Sequence, residues 1–284
     1  MKLYGGRYSA EALEELLSTI GSIAGVSRFL EKPRETVRNW FKTLEQDKII
    51  QANDNSENNN STVLVIGDTH LPATIPGYLD HCKRIYDKYN CNYVVHMGDF
   101  ADQYYLSYHE KDINLIECDR EYDATCKMMS KWFEAFPEGT WILGNHDDLP
   151  NRKRKSLFLP KFIIKQLEEI YNVPDSWDIK NKVIIDNTLY IHTLKGGGGF
   201  PYLLLPRRLG LSLVMGHRHT QCGVAYFRND YKTVFGMQVG CGINEQDICF
   251  EGRFDYAEDY VARPIINCGV VEKGQKAYLE PLIG

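Results

Sequence analysis

Two different hydrophobic patterns lie on either side of a polar stretch at residues 51–61. Before this stretch, apolar residues recur at the spacing of one helical face, as at positions 12, 13, 16, 17 and 20. After it, short runs rich in β-branched residues alternate with helical patterns. Asn and Ser dominate the stretch itself, a composition typical of a flexible linker. The sequence therefore predicts a helical domain at 1–50, a linker at 51–61 and a larger domain at 62–284.

The larger domain has the pattern of an α/β protein. Buried strands are predicted at 62–68, 92–99 and 139–145, with helices at 78–89 and 122–136 between them. This alternation is typical of a sheet with parallel neighbours. Residues 182–192 predict a hairpin around Asn187, and residues 212–240 predict further strands. In such sheets, ligands bind at the carboxyl ends of the strands.

Composition and charge narrow the classes of protein. The chain has 284 residues, 43% of them hydrophobic, and a formal net charge of -5, which argues against a protein that coats nucleic acid in general but allows a local basic patch. Its eight cysteines show no C-x-x-C spacing and predict reduced thiols. Because no signal-peptide pattern and no apolar stretch of spanning length are found, we expect a cytoplasmic protein without a membrane partner.

Five predicted strands end in residues that can bind metals. In chain order these residues are Asp68 and His70, then Asp99 and Asp102, then Asn145 and His146, then His192, then His217 and His219. Residues i and i+2 of an extended segment point the same way, so Asp68 and His70 can reach one ion. An aspartate on the adjacent strand can bridge two ions about 3.5–4 Å apart. Oxygen and nitrogen ligands without thiolate favour two divalent cations, with manganese expected first and iron, zinc or nickel as alternatives.

These motifs, D-x-H, G-D-x-x-D, G-N-H-D, a lone histidine and G-H-x-H, resemble those of the calcineurin-like metallophosphoesterases over residues 62–270. The resemblance implies an α/β fold in a four-layer α/β/β/α sandwich. It also implies roles for the motif residues: Asp68, His70 and His219 hold the first metal, Asn145, His192 and His217 hold the second, and Asp99 bridges them. His146 would be the general acid at the leaving oxygen, oriented by Asp102. The family often has glycine after the lone histidine, whereas Thr193 follows His192 here.

The expected reaction is hydrolysis of a phosphate ester by a hydroxide that two metals activate, with a proton from His146 for the leaving group. Three histidines, His81, His96 and His109, fall on no motif and are predicted to be structural. The metal motifs alone do not separate phosphatases, phosphodiesterases and nucleases, because all three share this chemistry.

Residues 25–44 resemble the helix-turn-helix of bacterial and phage DNA-binding proteins, with residues 36–40 in the position of the recognition helix. The resemblance implies that one helical face is offered to DNA, with Arg34, Glu35, Arg38, Asn39 and Lys42 on it. Glu31 stands where the family usually has glycine, and Pro33 where it usually has a serine cap. The alternative is a small helical domain that packs on the larger one or forms oligomers.

Residues near the third motif bear on the substrate. The basic run Arg152, Lys153, Arg154 and Lys155 could track a polyanion or could be a solvated loop. Tyr104, Tyr105, Tyr108 and His109 could stack on a base or simply pack. Together with the N-terminal domain, the basic run favours a nucleic-acid phosphodiesterase, that is, a nuclease. The alternatives are a phosphomonoesterase for phosphoprotein or a small metabolite, and a DNA-binding adaptor with a vestigial metal site.

Overall fold

The computed structural model describes residues 8–41, 44, 60–108, 117–194, 196–244 and 263–282. The chain divides into two compact units, Met1–Glu57 and Asn58–Gly284. Residues 51–59 of the predicted linker lie outside the described residues.

Among its described residues, the first unit contains three helices, α1 (Ala10–Ile20), α2 (Ile23–Phe29) and α3 (described at 34–41 and 44). The Ser9 side chain caps α1 by accepting a hydrogen bond from the Ala12 N–H, and Gly21 ends the helix in the left-handed conformation. Their buried apolar side chains are Leu13, Val26, Val37, Phe41 and Leu44. The helical face predicted at positions 12–20 is confirmed.

The last residue of α2 is exposed rather than buried. Phe29 is 66% exposed, because α2 buries Gly25, Val26 and Ser27 and Phe29 lies beyond this narrow face at the helix end. In the turn that follows, Glu31 has φ 52°, a left-handed conformation that glycine adopts most easily. The chain thus turns at Glu31, the residue that departs from the helix-turn-helix pattern.

In the part of the second unit that the structure describes, eleven strands form two sheets. In chain order they are β1 (Thr62–Ile66), β2 (Tyr93–His96), β3 (Gly139–Ile142), β4 (Trp177–Lys180), β5 (Lys182–Ile185), β6 (Thr188–Ile191), β7 (Ser212–Met215), β8 (Gly223–Arg228), β9 (Thr233–Gln238), β10 (Asn267–Glu272) and β11 (Lys276–Pro281). The first sheet has the order β11-β10-β1-β2-β3-β4 and the second the order β5-β6-β7-β9-β8. Strands β1 to β4 are mutually parallel, and so are β6, β7 and β9.

The sheets stack face to face, and helices cover their outer faces. Along β1, Val63 and Val65 join the core shared with β7 and β9, whereas Leu64 and Ile66 join the core under α4 (Tyr78–Lys88) and α5 (Cys118–Ala135). On the other side, Leu205 of α8 (Pro201–Leu209) packs on the second sheet. The predicted four-layer α/β/β/α sandwich is confirmed.

Local turn chemistry explains one predicted element, and helix propensity corrects another. The hairpin around Asn187 is confirmed, because Asp186 and Asn187 both have positive φ, as a two-residue hairpin turn requires.

The loop interpretation of the basic run is wrong: its residues form α6 (Leu149–Ser156). Pro150 starts this helix favourably, and Arg and Lys are good helix formers. A one-turn helix, α7 (Leu167–Ile170), follows.

Among the described helices, none combines the length and apolarity needed to cross a membrane. The cysteines at 82, 91, 118, 126, 222, 241 and 268 are free thiols, as predicted, and Cys249 lies outside the described residues.

Candidate dinuclear metal centre

The strand ends that carry the five motifs meet at one edge of the sandwich. Because β1, β2 and β3 are parallel in one sheet and β6 and β7 in the other, the loops after them emerge together. Backbone hydrogen bonds join the first two loops: the Thr69 and His70 N–H groups donate to the Asp99 carbonyl at 3.2 and 2.9 Å. Residues separated by up to 151 positions thus become neighbours.

One group of side chains consists of Asp68, His70, Asp99 and His219, whose ligand atoms all lie within 4.8 Å of one another. His219 Nε2 is 3.1 Å from Asp68 Oδ2, and His70 Nε2 is 3.6 Å from Asp99 Oδ2. The sequence assigned these residues to the first metal, and the structure brings them together.

A second group adjoins the first through Asp99. The ligand atoms of Asp99, His192 and His217 lie within 4.8 Å of one another. His192 Nε2 is 3.2 Å from Asp99 Oδ2 and 3.0 Å from Asn145 Oδ1. These are the residues predicted to hold the second metal. Asp99 is common to both groups, which is the position that a bridging carboxylate needs.

Hydrogen bonds on the outer nitrogens fix the tautomers of two of these histidines. His192 Nδ1 donates to the Met97 carbonyl at 2.8 Å, and His70 Nδ1 donates to Asp102 Oδ1 at 2.7 Å. In the neutral ring, each Nε2 then carries a lone pair toward the Asp99 carboxylate. Facing lone pairs repel each other, and a cation between them removes that repulsion.

The chemistry of the donor set therefore fits divalent cations. Asp68 Oδ1 is buried and accepts no hydrogen bond from the residues that the structure describes. No cysteine is in either group of ligand atoms found among these residues. Carboxylate, imidazole and amide donors suit first-row divalent metals.

The electrostatics keep Asp99 ionised. Burial alone would raise the pKa of Asp99, but the imidazoles of His192 and His146 hold it well below its ordinary value. Burial lowers the pKa of His192, yet Asp99 and Asp68 outweigh this effect and raise it to about 10. Without a metal, the His192 ring therefore carries a second proton. A metal ion bound at Nε2 would replace this proton, so the site can hold either the proton or the metal ion.

His146 lies at the rim of the cluster, with 27% of its side chain exposed. Its Nδ1 is 2.7 Å from the backbone carbonyl of Asp102 and 3.2 Å from the carboxylate Oδ1 of the same residue. Burial lowers the pKa of His146, but the carboxylates of Asp99 and Asp102 raise it to about 10. The predicted contact between Asp102 and His146 is present. The sequence did not indicate the shorter hydrogen bond from His70 to the same carboxylate.

Two motif glycines are required by close approach. A Cβ at Gly144 would overlap the backbone nitrogen and carboxylate of Asp99, and one at Gly216 would lie 2.5 Å from Asp68 Oδ1. Each of these glycines therefore leaves room for a predicted metal-binding aspartate from another loop: Gly144 for Asp99, and Gly216 for Asp68.

Three of the predicted ligands have left-handed backbones, namely His70 (φ 46°), Asp99 (φ 47°) and His217 (φ 73°). This conformation costs about 1–2 kcal/mol for a residue other than glycine. It persists where surrounding contacts enforce it. At His217, for example, the backbone N–H donates to Asp68 Oδ2 at 2.8 Å. Backbone strain is thus concentrated where the ligands converge.

Asp147 has a supporting role that the sequence analysis missed. Its buried carboxylate accepts hydrogen bonds from the Trp141 indole and the Gly144 N–H, both at 2.9 Å, and from the Phe100 and Ala101 N–H groups at 3.1 and 3.3 Å. Burial and the Asp99 charge raise its pKa to about 7, and the hydrogen bonds oppose that shift. Asp147 joins the second motif to the third. The only sequence signal was the last residue of G-N-H-D.

The histidines outside the motifs lie in packed surroundings. His96 is buried against the Phe100 ring, with centroids 3.9 Å apart, and its Nε2 is 3.1 Å from Thr69 Oγ1. Burial lowers its pKa to about 3, so the ring is neutral. His81 Nε2 donates to the Glu280 carbonyl at 2.9 Å. His109 lies outside the described residues.

The basic residues predicted to meet the substrate differ in their surroundings. Arg152 and Lys155 are exposed, and the Lys153 ammonium lies 3.7 Å from the centroid of the Tyr108 ring. Arg154 is held by the protein itself, because it donates to Asn151 Oδ1 and to the Leu159 carbonyl. Of the tyrosines predicted to stack or pack, Tyr104 is buried and Tyr108 is 53% exposed.

The residues predicted to meet DNA lie on α3. Arg34 and Asn39 are exposed, whereas Val37 is buried. Arg38 forms an ion pair of 3.0 Å with Glu35. Lys42 lies outside the described residues.

Comparison with known proteins identifies the family of the second unit. The family model described as calcineurin-like phosphoesterase matches residues 61–256, which confirms the resemblance seen in the motifs. No significant relative is found among curated proteins. Among solved structures, vacuolar protein sorting 29 from Cryptosporidium parvum is 14% identical, with 79% of this chain and 92% of that chain covered and a TM-score of 0.40. A nuclease, MPE, from Pseudomonas putida is 11% identical, with 77% and 87% covered and a TM-score of 0.36.

Proposed function

Because this chain belongs to the calcineurin-like phosphoesterase family, we propose that it is a dinuclear-metal-dependent phosphodiesterase acting on nucleic acid. The observation that carries the proposal is the sharing of Asp99 between two adjoining groups of ligand atoms. A single-metal site or a structural site would not need a carboxylate common to both groups.

In this proposal, each group of side chains holds one divalent cation, manganese being the first candidate. Asp68, His70 and His219 bind the first, Asn145, His192 and His217 bind the second, and Asp99 binds both. When bound, such a pair of cations activates a water molecule and neutralises the charge on phosphate oxygens. Every ligand is a neutral imidazole, an amide or a carboxylate, so the protein itself supplies a net negative charge to attract the metals.

His146 supplies the proton for the leaving oxygen. Its Nδ1 is occupied by the Asp102 carbonyl, so Nε2 is the nitrogen that can serve the substrate. Its position at the rim, next to Asp99 but outside both metal groups, gives it access to the departing group. Asp102 orients His146 and, through the hydrogen bond to Nδ1, also holds the metal ligand His70.

The charge near the site supports a polyanionic substrate. Between residues 149 and 167 the chain has six Lys or Arg residues and no Asp or Glu, although its overall net charge is -5. This positive run starts at Arg152, shortly after the third motif. A backbone hydrogen bond holds the start of the helix to that motif, since the Leu149 N–H donates to the His146 carbonyl. A nucleic-acid backbone offers repeated phosphates to such a run, whereas a small phosphomonoester offers one.

We further propose that the chain is organised as a DNA-binding helical domain at 1–50, a linker at 51–61 and a catalytic domain at 62–284. Arg34, Arg38 and Asn39 on the outer face of α3 would contact DNA, together with Lys42. A tethered recognition domain raises the local concentration of a weakly selective catalyst near its substrate. Gel-shift of the full chain with duplex DNA tests this role: Arg34→Ala with Asn39→Ala should weaken the shift, and an unchanged shift would contradict it.

One panel of substrates tests the reaction. The full chain is assayed with manganese, and with a chelator as control, on bis-p-nitrophenyl phosphate, p-nitrophenyl phosphate, single- and double-stranded DNA, RNA and a phosphopeptide. We expect chelator-sensitive cleavage of the diester and of nucleic acid. Cleavage of monoesters with intact nucleic acid would replace the proposal with a phosphomonoesterase. No cleavage of any ester would favour an adaptor.

A further inference from the structure

Residues 152–165, from α6 into the following turns, form an unusual surface that we call the basic-apolar segment. Four large apolar side chains in seven residues are exposed, namely Leu157 at 65%, Phe158 at 93%, Phe162 at 87% and Ile163 at 52%. The same segment holds all six cations of the positive run, including Lys155, Lys161 and Lys165. Clustered apolar exposure of this kind marks an interaction surface.

The backbone of Phe158 is evidence that this exposure has a use. Its φ of 55° is left-handed, at the position after a helix end where glycine is usual. The turn is fixed by Arg154, whose guanidinium donates to the Leu159 carbonyl at 2.7 Å while the Leu159 N–H donates back to the Arg154 carbonyl at 3.0 Å. A strained, almost wholly exposed phenylalanine gains little from the fold, so its ring is available for a partner.

The segment is continuous with the candidate metal centre. Helix α6 begins two residues after Asp147, and the Asp148 N–H donates to the Gly144 carbonyl at 3.2 Å. Gln103 joins the second motif to the same loop, because its side chain donates to the His146 carbonyl at 3.1 Å. A strand lying along the segment therefore reaches the centre within the length of one eight-residue helix, about 12 Å.

An aromatic ring also lies on the near end of the segment. Tyr108 is 53% exposed, and its ring centroid is 3.7 Å from the Lys153 ammonium and 5.3 Å from the Arg152 guanidinium carbon. A cleft of about 210 Å³ borders α6, with Arg154, Lys161 and Lys165 but also Asp148 and Glu168 in its lining. Along the segment, exposed rings and cations thus lie close together in the chain.

We infer that the basic-apolar segment binds a single-stranded nucleic acid, with its cations on the phosphates and the rings of Phe158 and Phe162 under unpaired bases. This inference rests on the proposed function and specifies its substrate as a strand with unstacked bases. Base faces are hidden in a duplex but free in a single strand, and stacking on exposed aromatic side chains is the usual way to hold them. The positive charge without any acidic residue provides the complementary field.

Binding without turnover tests the inference directly. Affinity of the full chain for a labelled single-stranded 20-nucleotide probe is measured by fluorescence anisotropy in the presence of a chelator. The double variant Phe158→Ala with Phe162→Ala should bind at least about tenfold more weakly. Tyr231→Ala is the matched control, because this ring is 94% exposed in the turn before β9, at the end away from the metal loops, and should change nothing.

A second variant separates recognition from folding. Phe158→Gly removes the ring and relieves the left-handed strain, so it should raise the melting temperature by about 2–4 °C while it weakens the affinity for the probe. For a residue with a purely structural role, a higher melting temperature would not be accompanied by a weaker affinity for the probe. Unchanged affinity in both variants would overturn the inference.

The outcomes also distinguish the inference from the proposed function. If the chain hydrolyses bis-p-nitrophenyl phosphate but the variants bind the probe normally, only the inference fails. If the variants lose probe binding but the chain hydrolyses no ester with any metal, only the proposed function fails. Binding of anionic lipid vesicles, lost in the variants, with no binding of the probe would show a membrane surface instead and would also overturn the inference.

Discussion

The candidate metal cluster and the basic-apolar segment are close in the chain, because the segment starts five residues after Asp147 of the third motif, but they differ in burial. Asp68, His70 and Asp99 are almost wholly buried, and each side chain forms a hydrogen bond with a residue of another loop. Phe158 and Phe162, in contrast, are 93% and 87% exposed. In our proposals, the buried cluster carries the chemistry and the exposed segment selects the substrate. Variants of the two regions should therefore fail in different ways.

The largest effect should come from the shared ligand. Asp99→Ala removes a side chain from both groups of ligand atoms, so we expect the protein to lose metal and to lose more than about 10³-fold in activity toward bis-p-nitrophenyl phosphate. Elemental analysis of the purified protein gives the metal content. Asp80→Ala, an exposed aspartate on α4, is the matched control. Full metal content in the Asp99 variant would contradict the bridging role.

His146 should show that proton transfer and metal binding are separable within the buried region. His146→Ala is expected to keep its metal and to lose about 10²- to 10⁴-fold in kcat on a diester with a poor leaving group. A good leaving group such as p-nitrophenol needs less protonation, so the loss there should be smaller. Equal losses on the two diesters would argue against the general-acid role.

Asp102 should have a smaller effect, because it acts through other residues. Asp102→Ala leaves the Nδ1 of His70 without its 2.7 Å acceptor, and we expect metal affinity to fall about 10- to 100-fold. Titration of metal into the chelator-treated protein measures this affinity. Excess metal should restore part of the activity, whereas a variant that merely unfolds would not recover.

The surface region should respond to salt rather than to metal. Lys155→Ala with Lys161→Ala should reduce the slope of log affinity against log salt by about 1.4 for a single-stranded probe, provided that each lysine neutralises one phosphate. Lys127→Ala with Lys131→Ala, two exposed lysines on α5, is the matched pair and should leave the slope unchanged. Equal salt slopes in all variants would show that the single-stranded probe does not bind at Lys155 and Lys161.

The sequence predicted much of the fold because the strands carry their own signals. Runs such as β1 and β3 are continuous and apolar, and the Asp186–Asn187 turn has the residues that a tight hairpin needs. Short strands such as β4 were missed, because their burial comes from neighbours rather than from a pattern of their own. The basic run at 152–155 was interpreted as a loop because of its high charge, although Arg and Lys are also good helix formers.

The sequence by itself indicated which residues can bind metals, since glycine followed by a potential ligand at four predicted strand ends, with His192 at a fifth, is a local pattern. Only the tertiary structure decided that Asp102 serves both His70 and His146, that Asp147 joins two loops, and that Phe158 is exposed. The physical reason is that hydrogen bonds and burial depend on loops from distant strands, which neither spacing nor composition records.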